Sequence, residues 1–115
     1  MKVVKQFTFD SCHFLPNYSG KCANMHGHTY KLEVGFSGKI DDTGMVIDFN
    51  DIKRLISNCV EQLDHRIINE VITNPTAENM VKWFYKKISS YLHGDTKVCM
   101  IRLWETPTSY AEENY

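Results

Sequence analysis

The sequence predicts an α+β fold in the order ββααββ, and three observations carry that prediction. Apolar and polar residues alternate near both ends, two apolar stripes at helical spacing lie between them, and Gly/Pro/Asp/Asn-rich clusters mark the joints. From Val3 to His13 the alternation puts Val3, Phe7, Phe9 and His13 on one parity and Gln6, Thr8 and Asp10 on the other, a strand pattern. Pro16, Asn17, Ser19 and Gly20 then mark a loop. A second strand runs from His28 to Ser37, with Tyr30, Leu32, Val34 and Phe36 on one face and Thr29, Lys31, Glu33 and Ser37 on the other.

Asp41, Asp42, Thr43 and Gly44 supply turn chemistry, and Met45 to Phe49 leads into a helical period. Phe49, Ile52, Leu55, Ile56, Cys59 and Leu63 form the first helical stripe, with Asp48 at the N-cap position and Asp51 in the first turn. After Asn74 and Pro75, Thr76 caps a second stripe of Met80, Val81, Phe84, Ile88, Tyr91 and Leu92, which Gly94 is expected to end. Lys97 to Glu105 is β-rich and apolar on both parities, as for a strand covered on both sides, and Ser109 to Glu113 reads as a short last strand.

With 43% hydrophobic residues and no repeat or linker, residues 1–115 are expected to form a single domain. The 13 basic and 14 acidic side chains give no basic field, which argues against nucleic acid and anionic membranes as partners. No signal-like start and no long apolar run is present, so a soluble cytoplasmic protein is expected. Cys12, Cys22, Cys59 and Cys99 lack CxxC spacing and should stay reduced.

In the segment HGH, His26 and His28 point to one face of an extended chain, and His13 ends the first strand on the parity of Phe7 and Phe9. If the strands pair as a hairpin, three imidazoles converge. Three neutral imidazoles with one open position make the ligand set of a catalytic zinc, although strand histidines also serve as plain hydrogen-bonding groups. His93, beside Gly94, reads as a helix-end dipole partner. Cys22 has two readings: a fourth zinc ligand, or a reactive thiol in a polar loop with Lys21 beside it. Cys59 and Cys99 fall on apolar positions and read as inert core, while Cys12 opposes the His13 face.

Asp64 directly precedes His65 at the end of an apolar stripe. Such a carboxylate can fix an imidazole tautomer for proton transfer, or the pair can simply cap a helix end. Glu105 shares the parity of Cys99, Ile101 and Leu103, so its carboxylate points where apolar groups point and needs a partner. The amino-imino edge of a guanine-like or pterin-like ring would serve, and so would an ion pair with Arg102 or a lysine.

The segments FDSCHFLP, KCANMHGHTYKLEV, GMVIDFNDIK, LDHRIIN, NPTAENMVKWFY and LWETPTSYAE, in that order, together resemble the 6-pyruvoyltetrahydropterin and 6-carboxytetrahydropterin synthase family across essentially the whole chain. The resemblance implies the tunnelling fold (T-fold): subunit sheets joined into a barrel with helices outside, in a homo-oligomer (a hexamer built from trimers) with active sites at subunit interfaces. It implies that His13, His26 and His28 bind Zn2+, that Cys22 accepts a proton, and that Asp64, His65 and Glu105 form a relay. Glu105 would also anchor the pterin, with Thr106 and Lys21 as further substrate contacts. Ala23, Asn24 and Met25 alone separate Cys22 from His26, a spacing that resembles the carboxytetrahydropterin branch rather than the pyruvoyl branch with its longer insert. The implied reaction converts 7,8-dihydroneopterin triphosphate to 6-carboxy-5,6,7,8-tetrahydropterin, releasing acetaldehyde and triphosphate, in queuosine and 7-deazapurine synthesis. Lys21, Lys31 and Arg66 are the cations nearest in sequence for the triphosphate. A pyruvoyl-type or aldolase-like activity, and a zinc-stabilised binding module with Cys22 as fourth ligand, are the competing expectations.

Overall fold

Hairpins at both ends of the chain enclose two helices in the computed structural model, which describes all residues from Met1 to Tyr115. The order is β1 (Lys2–His13), β2 (His26–Ser37), α1 (Phe49–Val60), α2 (Ala77–Ser90), β3 (Lys97–Thr106) and β4 (Ser109–Asn114). The strands form one sheet in the order β1-β2-β3-β4, antiparallel throughout. The predicted ββααββ arrangement is therefore the one observed.

Alternation decides which face meets the helices. Phe9 of β1, Tyr30, Leu32, Val34 and Phe36 of β2, and Ile101 and Leu103 of β3 are buried against Ile52 and Ile56 of α1 and Met80, Phe84 and Ile88 of α2. Each such side chain contributes about 1.5–3 kcal/mol when fully removed from water. Both helix starts are capped as expected: Asp48 accepts a bond from the Asn50 N–H at 2.8 Å, and Thr76 one from the Asn79 N–H at 3.2 Å.

The helix ends depart from expectation. α1 stops at Val60, and the next turn tightens so that the Leu63 and Asp64 amides both bond the Val60 carbonyl, at 2.9 and 2.8 Å. Leu63 remains fully buried from that turn. α2 stops at Ser90, with Tyr91 as an exposed C-cap, and Gly94 (φ 72°) turns the chain toward β3 instead of ending the helix.

β3 also differs from its apolar reading. A register shift between Gly35 and Phe36 pairs Gly35 with Met100 and Phe36 with Val98, leaving Cys99 unpaired and half-buried, whereas Cys59 is fully buried. A Cβ on Gly35 would stand 3.3 Å from the Met100 Cβ, so the strands approach closely there because no side chain intervenes. On the face away from the helices, β3 is covered by a polar network. Glu33, only 8% exposed, accepts bonds from Gln6 Nε2 (2.7 Å), Trp104 Nε1 (2.9 Å) and an Arg102 amino group (3.2 Å). The Lys31 ammonium lies 4.6 Å from the centre of the Trp104 ring. No helix is long and apolar enough to cross a membrane.

Burial alone would raise the Glu33 pKa, but the bonds from Trp104 and Gln6 and the Arg102 charge together hold it below the usual carboxylate value. A lowered folded-state pKa gives stability that is present above the ordinary value of 4.5 and is lost as pH falls through the folded value. Glu33→Gln is therefore expected to cost about 1–3 kcal/mol in denaturant unfolding at neutral pH. The gap to the unsubstituted chain should close as pH drops through the carboxylate range; an equal gap in acid would mean that the charge is not what the network holds.

Candidate metal centre

The pairing of β1 with β2 sets His13 opposite His26, and His28 follows two positions on along the same face. The side chains meet at the loop end of the hairpin, above Tyr30 and Phe9. His13 is 1% exposed, and the metal-capable ring nitrogens of His13, His26 and His28 lie within 4.8 Å of one another.

Backbone carbonyls fix the tautomers. His13 Nδ1 is 2.8 Å from the Pro75 oxygen and His26 Nδ1 is 2.7 Å from the Asn24 oxygen. A carbonyl only accepts, so each Nδ1 carries the hydrogen and each Nε2 presents a lone pair. Those two Nε2 atoms face each other at 3.1 Å, an arrangement that repels unless a cation stands between them. His28 Nε2 is buried with no hydrogen-bond partner. Burial lowers the pKa of His13 and of His28, which keeps both rings neutral and able to ligate. The two convergent lone pairs and the unpartnered His28 Nε2 beside them fit a divalent transition metal with a position left open.

Glu105, at the end of β3, points into this cluster. Its carboxylate oxygens lie 3.8 Å from His28 Nε2 and 4.0 Å from His13 Nε2, and the side chain is 30% exposed. The expected alternative of an ion pair with Arg102 does not occur, because that guanidinium is held by Glu33 and Glu112 on the opposite face. Thr106 lines a cleft with Glu105, His28, Lys31 and Trp104. Glu105 also closes a second cleft with Thr76 and Glu78 from the start of α2 and Tyr110 from β4. Glu78 was not singled out in the sequence, where it reads only as an acidic residue of the first helical turn; its sole signal is its place after the Thr76 cap.

After α1, each residue from Leu63 to Arg66 is fastened to β1. Ser11 Oγ lies 2.6 and 2.7 Å from the Leu63 and Arg66 carbonyls and shares its one proton between them, the Cys12 N–H donates to the Arg66 carbonyl at 3.2 Å, and the His65 N–H donates to the Asp10 carbonyl at 2.6 Å. Asp64 Oδ1 accepts the Asp10 N–H and stands 3.0 Å from His65 Nδ1, so this carboxylate orients the imidazole and does not cap the helix. The bond from the Asp10 N–H, and then the His65 contacts, hold the Asp64 pKa low against its slight burial. His65 has φ 55°, the only positive φ outside glycine, a strained value of about 1–3 kcal/mol that the flanking bonds maintain. Its ring is 77% exposed and lines a cleft with Cys12, Asp10, Arg66 and His28.

Cys22 is half-buried in the short turn Lys21–Ala23, where its carbonyl accepts the Leu15 N–H at 2.9 Å. It is not a member of the metal-capable cluster, and Lys21 beside it is exposed. Lys31 and Arg66 line the two clefts that flank His28, so of the three expected cations these two adjoin the centre.

The sequence model of the family described as "6-pyruvoyl tetrahydropterin synthase" matches residues 2–114. The chain is 34% identical to the 6-carboxy-5,6,7,8-tetrahydropterin synthase of Haemophilus influenzae, over 96% of each chain. It is 36% identical to the dihydroneopterin monophosphate aldolase of Pyrococcus furiosus, over 90% of this chain and 89% of that one. The structure of the Caenorhabditis elegans 6-pyruvoyl tetrahydropterin synthase superposes with a TM-score of 0.88 at 25% identity, covering 100% of this chain and 95% of that one.

The histidine cluster is expected to bind a divalent ion and to lose it in His13→Ala or His28→Ala; bound ion should stabilise the fold by about 2.7 kcal/mol at a hundredfold excess over Kd, read as a melting temperature that rises with ion concentration. Because the core lies between the sheet and helices rather than around the histidines, chelation should leave the circular dichroism folded. Unfolding on chelation would mark the centre as structural.

Proposed function

The chain belongs to the 6-pyruvoyl tetrahydropterin synthase family, and from that premise we propose that it is a zinc-dependent carbon-carbon lyase making 6-carboxy-5,6,7,8-tetrahydropterin. Its substrate is 7,8-dihydroneopterin triphosphate, and acetaldehyde and triphosphate leave. The reaction takes up water and needs no outside reductant, since the side-chain carbon that becomes the carboxylate gives up the electrons that reduce the pterin ring. The observation that carries this reading is the open set of three histidines with Glu105 beside it and Cys22 outside it. A closed four-ligand site would have the thiol within the cluster.

Each residue takes a role suited to its place. Glu105, aimed into the centre, accepts the paired N–H groups of the pterin edge, with Thr106 in the same cleft. The Cys22 thiolate accepts a proton from a side-chain carbon, and His65, whose tautomer Asp64 fixes, returns one to another carbon. Lys31 and Arg66, with Lys21 further out, meet the triphosphate. Zinc on His13, His26 and His28 would supply Lewis acidity to the substrate's side-chain hydroxyls.

The proposal extends to assembly and setting: one domain over residues 1–115, cytoplasmic, serving queuosine and 7-deazapurine synthesis, and joined with copies of itself into a barrel, as a hexamer built from trimers. Support for closure comes from the sheet, whose outer strands β1 and β4 leave edge backbone unpaired, on β1 outside the Asp10–Cys12 stretch that the turn after α1 covers, and an exposed edge favours pairing with another chain. The exposed His65 ring fits a site completed at such a joint.

A second reading, retro-aldol cleavage of the monophosphate without the internal redox step, draws on the aldolase relative. Anaerobic incubation of the zinc-loaded protein with the triphosphate and, separately, the monophosphate distinguishes the two. Carboxytetrahydropterin with acetaldehyde is expected from the first, whereas hydroxymethyl-dihydropterin from the second would favour the aldolase. Cys22→Ala should lower kcat by about 10²–10⁴-fold with zinc retained, and Asp64→Asn should also lower kcat. Zinc lost from Cys22→Ala, with no turnover by the parent, would sink the enzyme reading and leave a four-ligand module.

A further inference from the structure

We infer that the Tyr30 hydroxyl is a positioning group for the metal centre, restraining the His13 ring from its face. The inference rests on the reading of the three histidines as a metal site.

Tyr30 lies on β2 between His28 and Leu32 and is fully buried. The core needs only its ring. Leu32, Val34 and Phe36 continue the same face as hydrocarbons, and Phe9 stacks on Tyr30 at 5.0 Å with the planes 12° apart, a contact that phenylalanine would make equally well. A hydroxyl there loses its water and must find a partner.

Its neighbours are the two nitrogens of His13, at 3.3 and 3.4 Å. Neither is a good acceptor. Nδ1 carries the hydrogen given to the Pro75 carbonyl at 2.8 Å, and the Nε2 lone pair is directed toward His26 Nε2, 3.1 Å away. A donor aimed at one lone pair would lie in the ring plane and close to one nitrogen only. Near-equal distances instead place the oxygen over the ring face, in keeping with the 88° angle between the two rings. The contact is thus an O–H directed at a π face, and it constrains what the Pro75 bond leaves free. The carbonyl fixes rotation within the ring plane, while the hydroxyl opposes tilting out of it. Together they aim the Nε2 lone pair, which a metal requires to be directed within about 10–20°. His13 is the most buried of the three ligands and the only one held from two directions by groups outside the cluster.

Tyr30→Phe removes the oxygen and keeps the ring. Zinc affinity would be measured by chelator competition, ligand geometry by the visible spectrum of the Co2+-substituted protein, and packing by the melting temperature of the metal-free protein. The expected result is about tenfold weaker zinc binding, with shifted Co2+ bands and a nearly unchanged metal-free melt. Unchanged affinity and spectrum would overturn the inference while leaving the metal centre standing. So would a metal-free destabilisation as large as the loss of binding, because the hydroxyl would then serve packing alone. A parent protein that binds neither ion would overturn both.

Discussion

The centre depends on one constraint, the register of the β1–β2 hairpin. Their pairing runs unbroken from Lys2 opposite Ser37 to His13 opposite His26, and the last pair is the one that brings imidazoles together. Side chains alternate with a period of two, so a slip by one residue would turn either His13 or the His26 and His28 pair to the other face. The same slip would expel Phe9 or Tyr30 and Leu32 from beneath the helices. Core packing and ligand convergence therefore specify the same register, and the apolar burial that drives folding also fixes the chemistry.

The sheet separates two electrostatic environments. On the helix side, burial keeps His13 and His28 neutral, with lone pairs converging and few protons to compensate them. On the far side, Glu33 stays ionised because Trp104, Gln6 and Arg102 all donate to it. Arg102 is spent there, between Glu33 and Glu112, which leaves Glu105 free to face the histidines. Adjacent positions of β3, Trp104 and Glu105, divide these tasks.

Alternation and capping were legible in the sequence because they are local. The parity of Phe7, Phe9 and His13, the HGH spacing, and the Asp48 and Thr76 caps each involve residues a few positions apart, and all hold in the structure. What was not legible depends on distant partners. Cys99 is half-buried at a β3 residue left without a partner where the pairing with β2 shifts between Gly35 and Phe36. The fate of Arg102 was decided by Glu33 and Glu112, and α1 ends early because its following turn is bonded to Ser11, Cys12 and Asp10. Glu78 enters the surroundings of Glu105 only once α2 is laid against β4. No periodicity records such contacts.

The loop from Phe14 to Met25 has its two ends at His13 and His26 and carries Cys22 within it. An ion shared by those two histidines would tie the ends together as a disulfide does, and would remove conformational freedom from everything between them. Ordering of the thiol and retention of the ion then become linked quantities, each favouring the other by the same free energy. A substitution that stiffens the loop would tighten the ion without touching a ligand, and one that loosens it would release the ion first.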